Sequence, residues 1–158
     1  MAEISPSMQR VQEALDRSGL SLEVVELPQS TRTAQEAADA VGCQLGQIVK
    51  SLVFRGPDSD RPYLVLVSGH NRADLERVSQ LVGESVRMAD ANFVREVTGF
   101  SIGGVAPIGL PESIRTLIDR DLLQYETIWA AAGTPRSIFS LSPDDLRQLT
   151  AGQVASIC

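Results

Sequence analysis

Ile48-Val49-Lys50-Ser51-Leu52-Val53-Phe54, then Arg55-Gly56-Pro57-Asp58-Ser59-Asp60-Arg61, then, past Pro62, Tyr63-Leu64-Val65-Leu66-Val67-Ser68: these three runs decide the fold. The first and last are short, apolar, rich in β-branched side chains and bounded by turn residues, which reads as two strands. In the first, Ile48, Lys50, Leu52 and Phe54 point one way, and Val49, Ser51 and Val53 the other. The polar run between them is too short for the crossover of a dozen or more residues that a parallel pair needs. The two strands therefore pair antiparallel, and a purely parallel, doubly wound sheet is excluded.

Outward from this hairpin, short helices alternate with short strands. Towards the N-terminus, residues 33–40 read as an alanine-rich helix with Thr33 as N-cap and Glu36 completing a capping box, ended by Gly42. A further turn falls at 45–46. Residues 21–27 alternate as a strand that Pro28 ends, and residues 6–18 form an amphipathic helix with Met8, Val11 and Leu15 on its apolar face. Towards the C-terminus, a helix spans 73–81, a short strand 85–88 and a helix capped by Asp90 spans 91–97. Four glycines and a proline keep 99–109 irregular. Strands follow at 114–118, 127–131 and 138–141, and Ser142-Pro143-Asp144-Asp145 opens a last helix over 142–149. The expected architecture is mixed α/β: a mostly antiparallel mixed sheet or half-barrel flanked by short helices.

The chain has 158 residues with 43% hydrophobic content, which fits one domain across 1–158 with one core. No signal-peptide pattern and no apolar run near membrane-span length is present, so a cytoplasmic protein with no membrane contact is expected. The two cysteines, Cys43 and Cys158, lie far apart without a CxxC, which disfavours a disulfide framework or a zinc site. The net charge of −6 argues against broad nucleic-acid binding, though not against a grip on one end of a nucleic acid. Of the 14 basic residues, Lys50 is the one lysine, and a tight site would distinguish its compact ammonium from the planar guanidinium of arginine.

Two roles fit Lys50 in a strand apolar on both faces. It is either an edge lysine that reaches solvent or a structural carboxylate, or a cation held at a cleft for a phosphate or a developing negative charge. The stretch from Gly99 to Gly109 serves equally as a turn or as a loop whose N–H groups converge on an oxyanion. Gly133-Thr134-Pro135-Arg136-Ser137 reads first as a tight turn. His70 is the one histidine and lies in a polar loop, with no convincing nucleophile beside it.

Taken together, four segments in order resemble the YbaK/EbsC family, which includes the editing domain inserted in bacterial prolyl-tRNA synthetases. They are Thr33-Ala34-Gln35-Glu36-Ala37-Ala38, the strand Gln47 to Phe54, Thr98-Gly99 leading into Gly103-Gly104-Val105-Ala106-Pro107-Ile108-Gly109, and Ala132-Gly133-Thr134-Pro135. The resemblance covers roughly residues 30–149. It implies hydrolysis of the ester joining a wrong amino acid to the 3′ CCA end of tRNA, usually tRNA(Pro), without cofactor or metal. It implies that Lys50 anchors the terminal nucleotide and that the loop from Gly103 and Gly104 to Pro107 holds the ester by backbone contacts. Ser51, Val105, Ala106, Pro107, Gly133, Thr134 and Ser137 would shape the amino-acid pocket. A synthetase or another tRNA-binding protein is the implied helper. Two other classes share these features: a non-catalytic binding module for aminoacyl-tRNA or a nucleotide, and a hydrolase of another small activated ester.

Overall fold

The computed structural model describes residues 5–158 and is built on one eight-stranded mixed sheet. In chain order the elements are α1 (Pro6–Arg17), β1 (Val25–Glu26), α2 (Ala34–Val41), β2 (Ile48–Arg55), β3 (Pro62–Ser68), α3 (Leu75–Val82), β4 (Arg87–Met88), α4 (Ala91–Thr98), β5 (Arg115–Asp119), β6 (Ile128–Ala131), β7 (Ser137–Leu141), α5 (Pro143–Thr150) and β8 (Gln153–Ala155). Single 3-10 turns at Leu45–Gln47 and Arg120–Gln124 lead into β2 and out of β5.

The hairpin forms as the sequence predicts. β2 and β3 pair antiparallel from Val49–Ser68 to Arg55–Pro62. The strand order is β1-β7-β6-β2-β3-β5-β8, with β4 added on β2. β1–β7, β6–β7 and β2–β4 are also antiparallel, whereas β2–β6, β3–β5 and β5–β8 are parallel. The mixed sheet expected from the hairpin is present, with more parallel pairing than the sequence disclosed.

Several helix ends follow directly from their cap residues. Ser5 Oγ accepts from the Met8 amide ahead of a proline at N1, and Asp90 accepts from Phe93 N at 2.8 Å. Ser142 and Asp145 exchange both bonds of a capping box. At α2 only the Thr33 half of the expected box forms, with its hydroxyl accepting from Glu36 N at 3.1 Å. Two elements are shorter than expected: the strand expected over 21–27 reduces to Val25–Glu26, and that over 85–88 to Arg87–Met88.

Both faces of the central strands are covered. Val49 and Val53 of β2 join Leu64 and Leu66 of β3 in one cluster with Val11, Leu15, Phe93, Phe100 and Phe139. Phe54, Tyr63, Val65 and Val67 face the other way, with Val78 of α3 and Ile157. This explains the unbroken apolar run of β3, where alternation is lost because neither face meets water. Each such side chain contributes about 1.5–3 kcal/mol on burial.

Candidate active site

The sheet is split beside its central strand. On the edge of β2 away from β3, β6 pairs only with Ile48 and Val49, and β4 only with Phe54 and Arg55. Among the described residues no strand covers Lys50, Ser51 and Leu52 on that edge, and these three are part-exposed between the buried pairs Ile48–Val49 and Val53–Phe54. The Val53 carbonyl accepts from Ala89 N at 3.0 Å, so it faces away from β3. Because backbone groups alternate edges along a strand, the N–H and C=O of Ser51 face the same split. The Ser51 side chain points to the face that carries Val49 and Val53, and its hydroxyl is buried without a hydrogen-bond partner among the described residues. A buried hydroxyl left unmet costs about 1–3 kcal/mol.

The glycine loop packs on the Ser51 face. Val105, Ala106 and Ile108 are buried in the cluster that holds Val49 and Val53, and Pro107 is buried beside them. Val105 and Ala106 are thus packing residues as well as loop residues. Gly104 is required by close approach: a Cβ there would lie 2.9 Å from the Thr134 carbonyl carbon and 3.0 Å from its Cα. Gly103, at φ +93°, lies against the Arg32 stem.

The turn after β6 is held by its own side chains. Ser137 Oγ and Thr134 Oγ1 are 2.7 Å apart, and Thr134 N donates to Ser137 Oγ at 3.1 Å. Gly133 takes φ +100°, where a Cβ would also meet the Ser7 carbonyl oxygen at 2.8 Å. The loop and the turn that the sequence singled out separately are therefore one wall. Thr31 joins it, donating its amide to Pro135 O at 2.6 Å. Its hydroxyl is buried without a partner, and its place in a polar segment gave no sequence signal of this.

Lys50 occupies the opposite face of β2 from Ser51. Its ammonium donates to the Asn71 carbonyl oxygen, past the end of β3. Burial holds it below the ordinary lysine value; Cys158 and Asp119 act upward and Arg72 downward. The structure thus places Ser51, Gly104 and Thr134 towards one face of β2 and Lys50, the preceding residue, on the other. Asn71, Asp119 and Cys158 around it were not foreseen, because they meet only through the parallel packing of β5 against β3.

Ser68 Oγ lies 3.4 Å from Nδ1 of His70, the one histidine of the chain. Ser68 is fully buried, however, and donates to the Gly46 carbonyl at 2.6 Å, so the hydroxyl ties two loops together. Among the described residues no group of three or more His, Cys, Asp or Glu gathers as a metal site. No helix of the described residues is long and apolar enough to cross a membrane.

A mixed α/β domain with a split central strand edge, walled by a tight backbone loop and flanked by one ammonium, is the class of protein that the fold defines. The chain belongs to the aminoacyl-tRNA editing domain family, whose description it matches over residues 28–149. A solved structure described as a candidate trans-editing enzyme for prolyl tRNA synthetase superposes with a TM-score of 0.92 at 53% identity, covering 98% of both chains. An uncharacterised protein of Bacillus subtilis, YwhH, is 34% identical over 132 residues, 84% of this chain and 83% of its own. EbsC of Enterococcus faecalis, described as a candidate Cys-tRNA(Pro)/Cys-tRNA(Cys) deacylase, is 29% identical over 79% of this chain and 76% of its own.

Proposed function

We propose that this aminoacyl-tRNA deacylase removes a small, uncharged wrong amino acid from tRNA(Pro) in the cytoplasm, acting on the 3′ CCA end at the split in β2. The observation that carries the reading is the uncovered Lys50–Leu52 edge beside the Gly103–Pro107 loop. Its similarity to the trans-editing enzyme and to EbsC supports tRNA(Pro) as the substrate.

In this reading the aminoacyl ester lies across the split. The Ser51 hydroxyl and the loop amides from Gly103 onward orient the ester carbonyl and stabilise its developing oxyanion. Lys50 anchors the terminal nucleotide, and water is the nucleophile. A tRNA ester is already activated and its ribose carries a neighbouring hydroxyl, so orientation supplies most of the rate. Val105, Ala106, Pro107, Gly133, Thr134 and Ser137 limit pocket size, which gives the second sieve that a synthetase pocket lacks when two substrates differ by only about 1–3 kcal/mol. The net charge of −6 fits a grip on few phosphates, with a synthetase or another tRNA-binding protein supplying the rest of the affinity.

The test is release of radiolabelled amino acid from tRNA(Pro) charged with Ala, Ser, Thr, Cys or 2-aminobutyrate. Wild-type protein is expected to clear one or two of these, and Lys50→Ala to lose about 10²–10³ in rate. Folded wild-type protein that clears none of them, on tRNA(Pro) or other tRNAs, would overturn the reading.

A further inference from the structure

We infer that Asn71 is the positioning residue for Lys50, held in place by Asp119 and Asp121. This rests on the reading that Lys50 serves the substrate. A lysine ammonium has three donors. One is given to the Asn71 carbonyl oxygen, which leaves two for a ligand. That carbonyl is not free to turn. The Asn71 carboxamide donates to Asp119 Oδ2 at 2.9 Å and to Asp121 Oδ2 at 2.8 Å, so one NH2 group is shared between two carboxylates.

Asp119 is in turn fixed. It is 1% exposed, its Oδ2 accepts from Ser68 N at 3.0 Å, and its Oδ1 accepts from Asp121 N at 3.0 Å. Asn71 N donates to Ser68 O at 2.9 Å, which closes the loop onto the end of β3. The chain of contacts therefore runs from the buried end of β5 through one side chain to the ammonium. A carboxylate as deeply buried as Asp119 costs several kcal/mol unless hydrogen-bonded, and here its donors are the groups that place Lys50.

The charged and titratable groups facing Lys50 are Asp119, Arg72 and the Cys158 thiol, with Asp121 beyond Asn71. The thiol is pushed up to about 11, chiefly by burial, so near neutral pH it is uncharged and Asp119 is the counter-charge. Removing the Asp119 charge therefore disfavours the ammonium. Removing the Asn71 carboxamide keeps that main-chain carbonyl but frees the loop that carries it, so the ammonium can turn to water and escape the burial that depresses it.

Because Lys50 is the one lysine of the chain, its titration can be read directly. Reductive methylation with 13C-formaldehyde keeps the charge and one N–H donor, and gives a single lysine resonance apart from the N-terminal amine. The midpoint is expected to fall in Asp119→Asn and to rise in Asn71→Ala. Deacylation kcat/KM is expected to drop about tenfold to hundredfold in Asn71→Ala, the scale of a misplaced group. Asn71 is only half-buried, so its variant remains informative if Asp119→Asn fails to fold. An unchanged midpoint in folded Asn71→Ala would overturn the inference. The titration needs no activity, so it decides the positioning even if wild-type protein cleaves none of the substrates above.

Discussion

Gly104→Ala is the sharpest test of the wall described above. The added Cβ would lie 2.9, 3.0 and 3.1 Å from the carbonyl carbon, Cα and N of Thr134. All three are main-chain atoms, so no side chain can swing aside and the loop must move away from the turn by a few tenths of an ångström. Overpacking of this kind costs about 1–3 kcal/mol, which in a chain of this size lowers Tm by about 2–12 °C. A displacement approaching 1 Å at a substrate-positioning loop costs up to about 10²-fold in rate. Gly19→Ala serves as a control outside the site, because Gly19 has φ +81° but nothing within 4 Å of a built Cβ. It carries a backbone cost that Gly104→Ala lacks and no clash, so some loss of Tm but unchanged deacylation is expected. Thermal unfolding and single-turnover deacylation of both variants check this. Gly104→Ala with wild-type Tm and wild-type kcat/KM would refute the reasoning that the loop and turn form one tightly packed wall.

Further outcomes are expected elsewhere in the molecule. Cys158 is raised from 9.0 to about 11, mainly by burial and then by the charge and hydrogen bond of Asp119, so at pH 8 its alkylation by iodoacetamide is expected to run about a hundredfold slower than that of an ordinary thiol. The folded state holds this proton more tightly than the unfolded chain. The contribution is therefore fully present below pH 9 and lost as pH rises towards 11, and denaturant titrations should show a smaller alkaline loss in Cys158→Ser. Ser142→Ala removes one half of the capping box of α5 and should cost about 0.5–2 kcal/mol in urea unfolding, with activity retained. Leu66→Ala empties a fully buried position of β3 and should cost about 2–5 kcal/mol in the same assay.

The hairpin was legible because its signals are local: two apolar runs, the first with a lysine inside it, and a polar connection too short for a crossover. The caps at Thr33, Asp90 and Ser142 were legible for the same reason. β8 was not, because Gln153-Val154-Ala155 carries too little pattern to call a strand and is defined by its parallel register with Leu117, Ile118 and Asp119. The strand expected over 21–27 failed in the opposite sense. Its alternation is real, but only Val25 and Glu26 enter a ladder, with β7. At the site, Lys50, Ser51 and the two glycine-bearing segments stood out by residue type. Their arrangement did not, since a gap in a ladder follows from where β6 and β4 stop. Asp119 falls just past the strand expected over 114–118, and its burial comes from the layers packed around it.

The gap in β2 also bears on how the sheet holds together. Between the wing formed by β1, β7 and β6 and the rest of the sheet, the main-chain ladder runs only through Ile48–Trp129 and Val49–Ala130. On its other edge β2 is zipped to β3 along nearly its whole length. Side-chain packing through Ile128, Ala130 and Phe139 does the rest of the joining. The wing is therefore a weakly stitched flap, and its amides in β6 and β7 should exchange with deuterium faster than those of β3 under native conditions. A substrate seated across the gap would act as the missing rungs, so slow hydrolysable analogues of the aminoacyl end should selectively slow exchange in that wing.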